Sequence, residues 1–418
     1  MLRLIQSARG RQRSAKTGMM MFVVLLASYA INAMDRQVFP LVTPDVRKAY
    51  GFSLADAGLL STVFTLGMAI SGLPTGWLLA RTSRKTVVQV GIAIFSAGTA
   101  LTVLSGGFVS MFVYRAATGI GEAMQLTSLL TIAASCFTRH RATAMGSVNF
   151  CYGVGAIIGP VLGARLLMQY QSWRAPLVVF GLIGFVAIAV IAIAVRPWFT
   201  ETQGRPDSRT EEGGAATLNN RNTIILTMIC FITGLMVYCY LGMYPTFLRE
   251  YLHFSPRDAG TVMSMYGIGA LTSILCGWLG DRFSPRIILG MAFLGTAQVG
   301  FLFFHQIHSV TGQALLSVLW GMLASGTLVV NLGAYHVRAV RGGLANQAAG
   351  LFVTSFYGSS TVAGYTVGWI TNRTSWQVAG EIQFCLGAIV ALLLVLALRP
   401  QDMLPARSCI NGLGTAEP

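Results

Sequence analysis

The sequence predicts an all-α membrane protein, with twelve transmembrane helices in two pseudo-symmetric halves of six. Three observations carry that reading. Hydrophobic residues make up 54% of the 418-residue chain and charged residues only 10%, where a soluble domain carries about 25% charged residues. Apolar runs of roughly 20 residues, the length that crosses a bilayer, follow one another along the chain between turn or charge signals. The end of the second run also recurs at the end of the eighth: Gly76-Trp77-Leu78-Leu79-Ala80-Arg81 is answered by Gly277-Trp278-Leu279-Gly280-Asp281-Arg282.

Taken in order, residues 1–18 form a polar tail with five basic residues (Arg3, Arg9, Arg11, Arg13, Lys16) and no acids. The apolar run behind it contains Asp35-Arg36 and lacks a small-residue cleavage site, so it reads as a retained first helix and not a signal peptide. The first half, 19–195, holds spans at 19–42, 56–80, 86–105, 108–136, 142–168 and 176–195. Residues 196–221 form a mobile linker with four basic and four acidic residues. The second half, 222–398, holds spans at 222–249, 257–280, 286–304, 310–335, 343–371 and 377–398. An unstructured tail, 399–418, follows. Basic residues cluster in the N-terminal tail and after spans 2, 4 and 10 (Arg81, Arg84, Lys85; Arg139, Arg141; Arg338, Arg341), whereas the opposite loops are nearly uncharged. The positive-inside rule then places both termini in the cytoplasm, in a bacterial inner membrane.

The net charge of +15 does not indicate nucleic acid, because it is spread over short loops as topology signals are. The seven cysteines show no metal or disulfide spacing and read as small buried hydrophobes. Gly-x-Ser-x-Gly, His-Glu-x-x-His and phosphate-loop patterns are absent, so neither an intramembrane enzyme nor an ATP-driven pump is expected. No metal or organic cofactor is implied.

Ionisable groups at membrane depth are costly and mark substrate or ion paths. Asp35 and Arg36 lie within span 1, and Arg115 and Glu122 within span 4. Arg115 and Glu122 are two helical turns apart, about 10 Å along one face. These four are the expected centre of function: Asp35 and Glu122 as proton-coupling acids, Arg36 and Arg115 as cations for a substrate carboxylate. Neutral polar groups are candidates to orient the substrate: Asn32 in span 1, Asn149 and Tyr152 in span 5, Tyr238 and Tyr244 in span 7, Asn331 and Tyr335 in span 10, and Ser355, Tyr357 and Ser359 in span 11. Pro245 is expected to break span 7. His336, at the end of span 10, is expected in a loop. Asn372-Arg-Thr374 fits a glycosylation pattern. Halves with matching loops are the sign of a transporter built from repeats, its site between them near the midplane.

At these residues the chain resembles the major facilitator superfamily over nearly its whole length. Gly76, Leu78, Arg81, Arg84 and Lys85 are similar to the family's Gly-x-Leu-x-Asp-Arg-x-x-Arg-Lys loop, Arg115 and Gly119 to its Arg-x-x-x-Gly motif, and Gly155, Gly159, Pro160 and Gly163 to its Gly-Pro bend. The resemblance implies gating roles for Arg81, Arg84, Asp281 and Arg282. Ala80 stands where the loop motif has its acid, which implies a weaker outward-facing state. Asp35-Arg36 with Arg115 and Glu122 resembles the branch of proton-coupled organic anion transporters, and the lysolipid-transporting Spinster group shares much the same four residues. The branch often reads Asn-Tyr-Leu-Asp-Arg in span 1 and has a tyrosine near Met68, whereas this chain has Asn32-Ala33-Met34-Asp35-Arg36. A less polar pocket follows, suited to an apolar or aromatic carboxylate more than to a sugar acid. The expected protein is a monomeric proton symporter of a small organic anion, with a Spinster-like transporter of lysolipids or amphipathic compounds as the alternative.

Overall fold

The computed structural model describes residues 2–137, 141–201, 214–305, 307–341 and 344–404. Twelve helical paths cross the molecule: α1 (Leu2–Tyr50), α2 (Leu54–Thr62 and Phe64–Leu79), α3 (Arg84–Thr102), α4 (Phe108–Cys136), α5 (Arg141–Tyr170), α6 (Arg174–Ala194), α7 (Arg221–Thr246), α8 (Pro256–Ala270 and Ser273–Arg282), α9 (Pro285–His305), α10 (Val310–Gly321 to Val330–Arg338), α11 (Ala345–Arg373) and α12 (Trp376–Gly380 to Gly387–Ala397). Ten of them are long and apolar enough to span a membrane. The other two, α4 and α11, are 29 residues each and are more polar. The helices start where the local chemistry says they must. Ser53 caps α2 in a capping box with Asp56, and Ser83, Asn220, Ser255, Ser309 and Ser375 accept from the first-turn N–H groups of α3, α7, α8, α10 and α12.

Several boundaries depart from expectation. The N-terminal tail is helical from Leu2, continuous with α1, and α1 runs past Pro40 and Pro44 to Tyr50. Span 7 is not broken at Pro245. The helix passes through it and widens into a π turn over Phe247–Tyr251, where the Leu252 N–H reaches the Phe247 carbonyl at 3.1 Å. α10 and α12 also contain π segments, Met322–Val329 and Glu381–Leu386. The linker and the tail are ordered where they meet the second half. Ala215 bridges Ala339 and Arg341 through backbone bonds of 3.2 and 3.0 Å, and the Leu404 N–H donates to the Arg338 carbonyl at 2.8 Å. Asn222 and Arg399 exchange two bonds of 2.8 Å. The rest of the linker, 202–213, and of the tail, 405–418, lies outside the described residues, as do Arg139 and its neighbours. Asn372 falls within the last turn of α11, and His336 is a fully buried residue of α10, not a loop residue.

Within the halves α1 packs on α5, α3 on α4 and α6, α7 on α11 and α8 on α10; between them α2 meets α11 and α5 meets α8. The Gly-Pro motif of α5 serves the first of these contacts, since a Cβ on Gly155 or Gly159 would run into the α1 backbone at Ala30 and Met34. The halves close at the end of the bundle remote from the termini. There Gly58 and Gly364 stack backbone on backbone, and the Thr62 hydroxyl donates to the Thr361 carbonyl at 2.8 Å. Two ion pairs join α1 to the end of α7: Arg47 to Glu250 at 2.6 Å, and Arg249 to Asp45 and the Leu41 carbonyl. At the termini end, by contrast, Gly72, Gly76, Gly146 and Gly350 face open space.

Candidate functional site

The four ionisable residues expected at the centre are all buried there: Asp35 is 1% exposed, Arg36 5%, Arg115 1% and Glu122 0%. Helical spacing sets their order. Asn32 and Arg36, one turn apart on α1, face α4, which offers Glu122 and, three residues on, Gln125. The Arg36 Nε–H donates to Asn32 Oδ1 at 3.0 Å, and the same nitrogen lies 2.8 Å from Glu122 Oε2. The Glu122 contact is therefore an ion pair without an aligned hydrogen bond, and neither Glu122 oxygen accepts one among the described residues. Asn32 Nδ2 donates to Gln125 Oε1 at 2.9 Å, and Gln125 Nε2 to Ser28 Oγ at 3.0 Å. Asp35, adjacent in sequence to Arg36, turns instead to α3, where Thr99 donates to its Oδ2 at 2.8 Å.

Arg115 is held differently. Its guanidinium lies over the Phe39 ring at 4.5 Å and the Phe64 ring at 5.2 Å, and its Nε and Nη2 have no hydrogen-bond partner among the described residues. Asp35 Oδ1 and Arg36 Nη2 are likewise without one. The two arginines thus have different surroundings: Arg36 is ion-paired, and Arg115 is enclosed by aromatic faces.

Arg36 also reaches the interface of the halves. With Gln37, Pro40, Ser61, Phe64, Tyr152, Tyr238, Leu241 and Gly242 it lines a pocket too narrow in this state to admit a water molecule. The pocket takes residues from α1, α2 and α5 of the first half and from α7 of the second. Of the expected substrate residues, Arg36, Tyr152 and Tyr238 line it. Tyr357 stands beside it, with its ring 6.2 Å from that of Tyr238. Asn149 is exposed on α5, one turn from Tyr152 toward the termini end.

The structure engages the other candidates elsewhere. Tyr244 belongs to the aromatic core of the second half, its ring 4.6 Å from Tyr240 and 4.7 Å from Phe303, its hydroxyl bonded to Gln313. Asn331 donates to the Cys276 carbonyl at 3.2 Å and Tyr335 to the Gly280 carbonyl at 3.1 Å, so both pin α10 to α8. Ser355 and Ser359 bond back to the carbonyls of Phe352 and Phe356 at 3.1 and 3.0 Å, and Ser359 packs on Gly234 of α7. His336 holds the Leu332 carbonyl at 2.8 Å and lies 3.4 Å from Thr227. Met68 is buried outside the pocket lining.

The expected gating residues sit on the open end. Arg81 and Arg282 stack on Trp77 and Trp278 of their own helices, at 3.9 and 4.4 Å, and Asp281 is exposed. Arg84 donates to the Thr200 carbonyl at 3.3 Å. Near the missing motif acid at Ala80, Glu201 brings a carboxylate from beyond α6. Partial burial opposes its charge, but the Arg84 N–H, the Thr200 hydroxyl, the Lys85 N–H and the Ser83 hydroxyl, at 3.0–3.3 Å, hold its carboxyl below the usual range. Residues that the sequence reading missed include Ser28, Thr99 and Gln125 in the network, Phe64, Gln37 and Ser61 in the pocket, and Asp45, Arg47, Arg249 and Glu250 at the closed end. Helical spacing from Asn32 and Glu122 pointed to Ser28 and Gln125; the other residues carried no such signal. Among the described residues no three His, Cys, Asp or Glu side chains gather as a metal site.

Comparison with known proteins bears on this arrangement. The profile of the Major Facilitator Superfamily matches residues 25–365. The chain is 24% identical over 402 residues to the cis,cis-muconate transport protein of Acinetobacter baylyi, covering 89% of this chain and 93% of that one. It is 29% identical over 230 residues to protein spinster of Drosophila melanogaster, a match that covers 51% of this chain but only 37% of the fly protein. Among solved structures, the fold is similar to that of a bacterial homolog of the human lysosomal transporter Spinster in an inward-facing and occupied conformation, with a TM-score of 0.72, 16% identity, and coverage of 91% of this chain and 97% of that one.

Proposed function

We propose that this chain, which belongs to the Major Facilitator Superfamily and is a multi-pass membrane transporter rather than an enzyme, moves a small organic anion together with protons by alternating access. The observation that carries this reading is Arg36: a buried guanidinium at the pocket wall, with Nη2 unpartnered among the described residues and the Glu122 carboxylate 2.8 Å from its Nε. Protonating Glu122 leaves Arg36 short of a partner, and a substrate carboxylate then takes the two-pronged pairing that guanidinium offers. Asp35 is the second acid able to take a proton, beside Arg115. Proton and anion enter together, and the halves rock around them between a state closed at the Arg47–Glu250 end and one closed at the opposite end. With Pro40, Phe64 and Leu241 in the lining, an apolar or aromatic carboxylate suits the pocket better than a sugar acid. The muconate transport protein, similar over nearly the whole chain, supports a carboxylate of that kind. The termini and linker lie in the cytoplasm, the protein works as a monomer, and the coupling ion is H⁺.

The test is uptake of labelled carboxylates into proteoliposomes with and without an inward proton gradient. Accumulation of one acid that collapses with a protonophore is the expected result. Absence of acid uptake, with movement of a fluorescent lysolipid instead, would replace this reading with the Spinster-like one that the fly relative and the fold neighbour favour.

A further inference from the structure

Arg115 is buried outside the pocket that Arg36 lines, and two of its nitrogens lack hydrogen-bond partners among the described residues. A buried cation left with open donors is expensive unless something is to bind it. One side chain stands on both sides of this boundary. Phe64 lines the pocket, and its ring also covers the Arg115 guanidinium at 5.2 Å. On the pocket side it meets the edge of Tyr238, from the other half, with centroids 5.8 Å apart.

The backbone under Phe64 is built for this placement. α2 is interrupted at Val63, where the Leu66 N–H turns back to the Val63 carbonyl at 2.9 Å. The Phe64 carbonyl is seated against Gly119 so closely that a Cβ there would overlap it. Gly119 follows Arg115 by one helical turn, so the same stretch of α4 carries the arginine and the seat of the ring that covers it. Because Tyr238 belongs to α7, a movement of the halves alters the contact that holds Phe64 in place.

We infer that Phe64 is a shutter between the central pocket and Arg115, and that its displacement gives an anion in the pocket a second guanidinium. The inference rests on the anion-transport reading above and names a finer class within it: with the shutter closed the pocket offers an anion one guanidinium, Arg36, and with it open it bridges a dicarboxylate between Arg36 and Arg115. Phe64 acts through Arg115 and is a positioning residue. Its signature is the ratio of dicarboxylate to monocarboxylate affinity, which general loosening of the fold does not change.

The experiment compares adipate with hexanoate, binding to purified full-length protein by calorimetry. Phe64→Ala should tighten adipate by about tenfold, the worth of one charge-assisted bond gained without displacing a ring, and change hexanoate far less. Phe64→Trp should weaken adipate selectively, and Arg115→Gln should erase the adipate preference. Equal changes for both acids in Phe64→Ala, or an unchanged ratio in Arg115→Gln, would overturn the shutter. A second measurement needs no ligand: Arg115→Cys should react with a small thiosulfonate faster in the Phe64→Ala background than in the parent. Equal rates would also overturn it. If neither acid binds any variant but this labelling difference appears, the shutter stands and the carboxylate reading fails.

Discussion

Replacing Glu122 by Gln keeps the shape of the side chain and removes its charge. Arg36 then keeps Asn32 at 3.0 Å and loses the carboxylate 2.8 Å away. Removing one charge of a buried pair costs about 3–5 kcal/mol, and this pair is 4% and 0% exposed, so solvent supplies little compensation. Ligand-free Glu122→Gln protein should therefore unfold at a lower temperature than the parent. A substrate carboxylate that re-pairs Arg36 recovers about 1.5–3 kcal/mol per charge-assisted bond, which is roughly ten- to a hundredfold tighter binding than in the parent, where the anion must first displace Glu122. The stability defect should accordingly shrink when the transported acid is added. In proteoliposomes the variant should exchange labelled for unlabelled acid across the membrane but fail to accumulate it on an inward proton gradient. Three results would refute the reasoning: accumulation that still collapses with a protonophore, loss of exchange together with accumulation, or an added acid that binds no more tightly than in the parent. The last two outcomes would mark the Arg36–Glu122 contact as a static brace between α1 and α4.

Arg249→Ala removes the contacts to Asp45 and the Leu41 carbonyl. Such partly exposed pairs are worth about 0.2–1 kcal/mol each, so the closed end should open up to about fivefold more often, read as faster labelling of Thr361→Cys by a membrane-impermeant maleimide, with slow labelling restored by exchanging the charges of Asp45 and Arg249. Gly119→Ala should lower thermal stability by about 1–3 kcal/mol through overpacking against the Phe64 carbonyl, whereas Gly76→Ala, which faces open space, should leave the melting temperature unchanged; equal effects of the two would refute the close approach. Glu201 is a depressed carboxylate, so its contribution to stability is fully present above the usual carboxyl range and is lost only as pH falls through its lowered folded value. Glu201→Gln should thus destabilise the cap of α3 by at most about 1 kcal/mol at neutral pH, given its exposure, and the gap between parent and variant should close only in acid; a gap that already closes near pH 6 would refute that cause.

The helices were legible in the sequence because lipid imposes one rule on every span, that twenty or so residues must be apolar. α9 begins and ends within one residue of its apolar run, at Pro285 and His305. α1 does not, because prolines 40 and 44 sit inside a helix whose neighbours support it, and the basic tail before it contains no strong breaker. The central charges were legible because burial in a membrane makes each one conspicuous.

What composition could not supply was direction around a helix and distance between helices. Tyr238 and Tyr244 cluster in sequence, yet six residues at about 100° each turn the second some 240° away from the first. Tyr238 accordingly faces Arg36 across the pocket while Tyr244 sinks into the aromatic core. Asn331 and Tyr335 share a face, but only the position of α8 reveals that this face packs against a helix and not a substrate. The ion pairs at the closed end join residues 203 and 204 positions apart, and each charge alone reads as an ordinary loop residue. The pairing inside the site follows the same logic. Spacing puts Arg115 and Glu122 on one face of α4, and adjacency puts Asp35 beside Arg36, but the observed partnership is Arg36 with Glu122 across two helices. A site wired between helices responds to their relative motion, whereas one wired within a single helix would move as a unit. The contacts that sequence could not show, Arg36 to Glu122 and Phe64 to Tyr238, are those that a change in helix packing can make and break.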